Sequence, residues 1–311
     1  MKFLFITLSI FYSLHSIYAE SENSSRRTRK ALNQLKEYNV QSPQELEAQA
    51  QHFTLNGEYT LAIKRYQALL TWFPKHKHEK EIYLLVAGLH YKNNEPKESI
   101  FILEKFGKKY PDSIQMTHCV KLAFQIGKNY ILEINEAYNG VGAKKYTKRA
   151  FKFVITHDPY SPEAAESLLT NAVLSMKAKE YEEAIIHLKD LHSKQPGTNY
   201  AAQADVYLGE CFLRMNKGAK YSNDLLEKAR RYLENHQKHN QTGPYTTKVK
   251  QLISEVYSRI GQLRVDNIRY YFTCRKWKAA KFYIDKTLDE PKLSMIHPEV
   301  LKLKIHVEKR I

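Results

Sequence analysis

Glycine and proline are scarce, at 11 and 10 of 311 residues. Low content of both excludes a collagenous or low-complexity chain and leaves room for long helices joined by short turns. Cysteine is nearly absent: Cys119, Cys211 and Cys274 are far apart in sequence. No disulfide framework follows from three such positions, and each reads as a small buried hydrophobe inside a helical pattern. Acidic side chains are in deficit, 33 against 49 lysines and arginines, for a formal net charge of +16. That balance suggests anionic partners such as phospholipid headgroups, nucleic acid or an acidic protein face. The charge is spread along the chain, however, with Arg26-Arg27-Thr28-Arg29-Lys30 as its densest short run. Beyond the N-terminus no segment approaches the length of apolar chain that a membrane-spanning helix needs.

Motifs that carry chemistry are missing too. Gly140-Val141-Gly142-Ala143-Lys144-Lys145 has the residue types of a phosphate loop. It lacks the preceding strand and the Lys-Ser/Thr pair, so it reads as a helix–helix connection with a loop at 139–142. His76 with His78, and His236 with His239, are histidine pairs without a His-Glu-x-x-His helix or a zinc-spaced Cys/His quartet. Pro74-Lys75-His76-Lys77-His78 reads as a basic turn with solvated imidazoles. No Gly-x-Ser-x-Gly elbow occurs. Glu79/Glu81 and Glu182/Glu183 fall at helix starts or on exposed faces, where acids favour the helix dipole. No enzyme activity, catalytic residue, cofactor or metal is expected.

What the chain does have is a repeat. A small residue is followed four positions later by an aromatic or Leu, and then by Pro. The copies are Ala62, Tyr66, Leu69 and Pro74; Ser99, Leu103, Phe106 and Pro111; Thr147, Phe151, Val154 and Pro159; and Ala184, Leu188, Leu191 and Pro196. Pro74 and Pro111 lie 37 residues apart, as do Pro159 and Pro196. That period is close to the tetratricopeptide unit of two antiparallel helices. A second spacing supports the pairing: Ala50 precedes Ala62, Ala87 precedes Ser99 and Ala172 precedes Ala184, each by 12 residues. Small residues at that offset let the two helices of a hairpin approach closely. The fold class expected is all-α, a tetratricopeptide-like right-handed solenoid of five to six helical hairpins. Tyrosine is frequent, at 22, and suits such packing because its ring fills a seam while its hydroxyl stays wet.

Along the chain, Lys2, an apolar run and Ser16-Ile17-Tyr18-Ala19-Glu20 fit an export signal over 1–19 with cleavage after Ala19. Residues 20–41 read as a polar, basic tether. Ser42-Pro43-Gln44-Glu45 opens the first helix with an N-cap and Pro at its first position. The repeat region then runs over 42–291, including one uninterrupted helix from Thr246 to about Thr273. A polar helix within 292–311 caps the array. Between Pro111 and Pro159 the spacing is longer, and a helix from Ser113 to about Tyr138 absorbs the excess.

Several runs resemble one known family. Lys228-Ala229-Arg230-Arg231-Tyr232-Leu233, Tyr245, Val249, Leu252-Ile253, Arg259-Ile260-Gly261, Tyr270-Tyr271, Trp277-Lys278-Ala279-Ala280 and Pro291 are similar to the C-terminal half of the BamD family. Gly57-Glu58-Tyr59, Ala62-Ile63, Tyr66, Leu69 and Phe73-Pro74 are similar to its start. These are periplasmic tetratricopeptide-like lipoproteins of the outer-membrane β-barrel assembly machinery. The resemblance covers roughly 43–291 and implies a non-enzymatic scaffold. Its N-terminal hairpins would offer a groove to unfolded barrel segments, and its C-terminal hairpins would hold the POTRA domains of the inserting subunit. The signal region departs from the family, with no lipobox Cys before Cys119. The expected location is therefore the periplasm, peripheral to the outer membrane. The Arg26–Lys30 run would bind anionic headgroups in place of a lipid, worth about 1 kcal/mol per charge near the surface.

Two sets of candidate residues follow. With Ala50 and Ala87 facing their hairpin partners, Glu47, Gln51, Thr54, Leu84, Gly88 and Tyr91 should point into the peptide groove. Tyr270, Tyr271, Trp277 and Tyr283 should carry the partner-binding face of the C-terminal hairpin. The alternatives are a periplasmic adaptor of a division or secretion complex, and a repeat-scaffolded enzyme accessory acting on an anionic glycan or nucleic acid. A basic stripe along the groove would favour the anionic polymer, and an apolar, aromatic groove would favour peptide; export counts against nucleic acid.

Overall fold

The computed structural model describes residues 42–136, 141–216 and 223–310, with a few positions between 29 and 40. The expected signal, 1–19, lies outside the described residues. From Pro43 onward the described residues form α-helices and one short 3-10 turn, with no strand among them. The first compact unit, ending at Asp158, holds α1 (Pro43–Leu55), α2 (Tyr59–Trp72), α3 (Glu79–Lys92), α4 (Pro96–Lys109), α5 (Met116–Glu136) and α6 (Val141–His157). The second, from Pro159, holds α7 (Pro162–Lys177), α8 (Tyr181–Lys194), α9 (Asn199–Met215), α10 (Asn223–His239), α11 (Thr246–Thr273) and α12 (Trp277–Leu288). The 3-10 turn Pro291–Ile296 and α13 (His297–Glu308) complete it. Each unit is a stack of tetratricopeptide-like helical hairpins, α1/α2, α3/α4 and α5/α6 in one, α7/α8, α9/α10 and α11/α12 in the other.

Local chemistry sets where the helices start. The Ser42 and Ser161 hydroxyls accept hydrogen bonds from the Glu45 and Ala164 N–H groups, each at 3.1 Å. Pro43 and Pro162 follow at positions that need no N–H donor. Thr198 caps α9 in the same way, accepting from Ala201 N–H at 3.2 Å.

The turns inside four of the hairpins share one geometry. Gly57, Asn94, Lys179 and Arg275 all take positive φ, between +57° and +75°, two residues before the returning helix. In each turn the next N–H reaches back five residues, as Glu58 to the Phe53 carbonyl and Lys276 to the Tyr271 carbonyl, both at 2.9 Å. This is the Schellman closure of a helix C-terminus.

The seams between paired helices are closed by the small residues. Ala50, Ala62, Ala87, Ser99, Ala172 and Ala184 are fully buried. Ser99 Oγ donates to the Ala87 carbonyl across the seam at 2.7 Å, which gives the 12-residue offset its contact. Around these sit Tyr66, Leu69, Leu103, Phe106, Phe151, Val154, Leu188 and Leu191, all at most 1% exposed. Large side chains buried this fully contribute on the order of 1.5–3 kcal/mol each.

The third hairpin is longer, with helices of 21 and 17 residues against 13 and 14 in the first. The Phe151 ring fills the space over Gly127, where any Cβ would collide with it. The loop expected at 139–142 is half corrected: Val141 and Gly142 form the first turn of α6, and Asn139 and Gly140 lie outside the described residues. Val265, Ile268, Ala280, Ile284, Val300 and Val307 form one apolar cluster that joins α11, α12 and α13. Lys292 Nζ, in the 3-10 turn, reaches Glu234 of α10 at 2.5 Å and ties the cap to the stack.

One more expectation is corrected, for Cys274. Cys119 and Cys211 are buried, which pushes each thiol up to about 12, but Cys274 is exposed and lies just past the end of α11. Tyr38, assigned to the tether, has the Arg65 guanidinium 3.7 Å from its ring centre. Gln49 completes that contact, accepting from Arg65 Nε at 2.6 Å.

Candidate interaction site

Leu84, Gly88 and Tyr91 share a face of α3 at helical spacing, and all three are half-buried. The Tyr91 hydroxyl accepts from Asn129 Nδ2 at 2.6 Å, which links α3 to α5, the first helices of adjacent hairpins. A Cβ added at Gly88 would meet nothing within 4 Å, so that point of the face is open. Gln51 is exposed on α1.

Glu47 and Thr54 depart from the expected groove orientation. They stand three before and four after Ala50, so they share its stripe and turn toward the protein. Thr54 donates to the Ala50 carbonyl at 2.9 Å and bonds the Tyr66 hydroxyl, whose pKa burial raises. Glu47 is 9% exposed. Its carboxylate meets His78 Nδ1 at 2.9 Å and His76 Nε2 at 3.6 Å. The histidines follow Pro74 in the connection between α2 and α3, and the His76 side chain is 6% exposed. The solvated imidazoles expected here are thus corrected for His76, and among the described residues these three form a set whose chemistry fits a metal ion.

The second surface lies on α11 and α12, and it is aromatic. Tyr271 and Tyr283 stack with ring centres 5.2 Å apart and planes 17° from parallel. Their hydroxyls are hydrogen-bonded, which with the neighbouring phenols raises the Tyr271 pKa above the usual tyrosine value. Tyr270 packs edge-on against Tyr271 at 5.4 Å, and Phe282 edge-on against Tyr283 at 5.6 Å. The result is a run of four rings whose outer members, Tyr270 and Phe282, are 60% and 61% exposed. Trp277 stands apart from this run: it packs on Phe272 at 5.1 Å and under Arg310 at 5.4 Å. Phe282 is not among the residues expected on this face, and its only signal in the sequence is its place beside Tyr283.

No protein-family model matches the chain. Among curated proteins, the outer membrane protein assembly factor BamD of Pasteurella multocida strain Pm70 is 24% identical over 212 residues. That stretch covers 61% of this chain and 80% of the Pasteurella protein. The chain is similar to BamD. Neither compact unit is as long as the matched stretch, so the likeness to BamD takes in residues of both. Among solved structures, a thermophilic tetratricopeptide protein of Thermus thermophilus is 13% identical at a TM-score of 0.33, over 69% of this chain and 98% of that one. PilW, a type IV pilus biogenesis factor, is 15% identical at 0.34, over 82% and 97%. No helix of the described residues is long and apolar enough to cross a membrane.

Proposed function

We propose that the chain is a non-enzymatic scaffold for outer-membrane protein assembly, acting in the periplasm at the outer membrane. The observation that carries this reading is the likeness to BamD across both compact units. The stacked hairpins fit it, since repeat arrays present extended surfaces to protein partners. In this proposal the face of Gln51, Leu84, Gly88 and Tyr91 receives extended segments of unfolded barrel proteins. The run Tyr270, Tyr271, Tyr283 and Phe282 holds the POTRA domains of the β-barrel insertase. Exposed aromatic rings are enriched among the residues that dominate protein interfaces. The proposal keeps residues 42–291 as the repeat region and 292–311 as its cap, with an export signal and an Arg26–Lys30 run that contacts anionic lipid.

Site-specific photocrosslinking in native envelopes tests this. A photoreactive residue at Phe282 should capture a POTRA-bearing barrel protein, and one at Gly88 should capture unfolded outer-membrane proteins. Recovery of division or secretion components alone at both positions would sink the assembly role and favour an adaptor.

A further inference from the structure

Glu47, on α1, and His78, in the α2–α3 connection, are 31 residues apart in sequence and in contact in space. With His76 they bring two imidazole nitrogens and a carboxylate oxygen within 4.8 Å of one another. Ligands about 2.0–2.2 Å from a tetrahedral zinc ion stand roughly 3.3 Å apart. From Glu47 Oε2 the separations, 3.2 Å to His78 Nδ1 and 3.6 Å to His76 Nε2, bracket that value.

His76 Nε2 decides between an ion pair and a ligand set. It is buried, it has no hydrogen-bond partner, and it faces the Glu47 carboxylate beyond hydrogen-bonding distance. An ion pair with Glu47 needs only His78, which already supplies it at 2.9 Å. A buried imidazole nitrogen left without a partner is unfavourable, and coordination would satisfy it. We propose that Glu47, His76 and His78 bind a divalent transition metal ion of the zinc class. The ligands are two imidazoles and one carboxylate, with water in the fourth position on the side where His78 is 44% exposed.

Loading is a ligand exchange in which the six-coordinate hydrated ion takes on the three side chains, releases five waters to solvent and keeps one. Coordination through His76 Nε2 places that ring's proton on Nδ1, so the 3.3 Å hydrogen bond from the His78 N–H is surrendered. The Glu47–His78 hydrogen bond gives way to two coordinate bonds, and any imidazolium proton leaves to solvent. Lys75 and Lys77 flank the site but are exposed, where water and salt screen their charge. Because the ligands come from α1 and from the connection that opens the second hairpin, the bound ion would clip the first hairpin to the second. Binding to the folded chain alone then raises its apparent stability.

Cobalt titration of the full chain, purified without a polyhistidine tag, tests the site. One equivalent of Co2+ should develop the visible absorption of tetrahedral nitrogen–oxygen coordination, zinc should bleach it, and zinc should raise Tm. Removing a partner one shell further out already weakens metal binding 10–100-fold, so His78→Ala should weaken it about 100-fold or more. His78 is the variant of choice because its side chain is half-exposed and its loss leaves no core cavity. Glu47→Gln, close in shape, should also abolish the band while thermal unfolding without metal stays cooperative. A missing cobalt band, or a zinc affinity unchanged in His78→Ala, would overturn the proposal and leave an ion pair with scattered imidazole binding elsewhere.

Discussion

Lys179 sits at φ +61° in the position that Gly57 takes at +75° in the first hairpin. A side chain in the left-handed region is disfavoured by about 1–2 kcal/mol, and Lys179 is exposed. Lys179→Gly should therefore raise stability by about 0.5–1 kcal/mol, after the extra unfolded-state freedom of glycine is subtracted. A higher urea midpoint at unchanged slope would verify this, and a lower one would show that the turn is not limiting. At this scale the sequence was readable where one residue answers to its own backbone: Ser42, Pro43, Ser161 and Pro162 start helices as expected. It was unreadable where residues meet from a distance. Nothing near His76 announces Glu47, since the contact depends on which face of α1 turns inward. Cys274 escaped because a helical pattern runs up to it, while the Schellman closure at Arg275 ends the helix just before it.

Helices and hairpins were legible because their signals are periodic and local. The long α11 runs from Thr246 to Thr273 as its apolar stripe indicates, and the three small-residue pairs at offset 12 are all fully buried. The start of α6 was misjudged because Gly140-Val141-Gly142 reads as a turn, yet a helix N-terminus accepts Gly142 inside its first turn. The seam makes a demanding test. Ala172 and Ala184 have no solvent-accessible surface between α7 and α8, so neither helix has room to give. Ala184→Trp should destabilise by roughly 1–3 kcal/mol or more through overpacking. Thermal melting would register it, and an unchanged Tm would mean that the hairpin does not close on this pair. Serine in place of Ala184, which Ser99 already models at the equivalent seam, should be tolerated far better than tryptophan.

At the scale of the whole chain, the formal charge of +16 and the aromatic run make opposite demands on how partners bind. Affinity drawn from charge falls steeply with salt, whereas affinity drawn from buried rings does not. Tyr270 and Phe282 are 60% and 61% exposed, so replacing both with Ala removes little buried surface. Stability should move by no more than about 0.5 kcal/mol. If they anchor the insertase, binding should weaken by at least about 2 kcal/mol, the threshold of an interface hot spot, or roughly 30-fold. Gly88→Trp is the counterpart in the other unit: a Cβ there meets nothing within 4 Å, so the ring must project into whatever occupies that face. It should block unfolded barrel segments and spare the insertase, while the Tyr270/Phe282 variant does the reverse. Binding assays with both partners, at low and high salt, decide it. Loss of both partners in either variant would mean a single shared surface. Binding that ignores both variants and collapses with salt would shift the weight to the basic charge, and with it to an anionic polymer as the ligand.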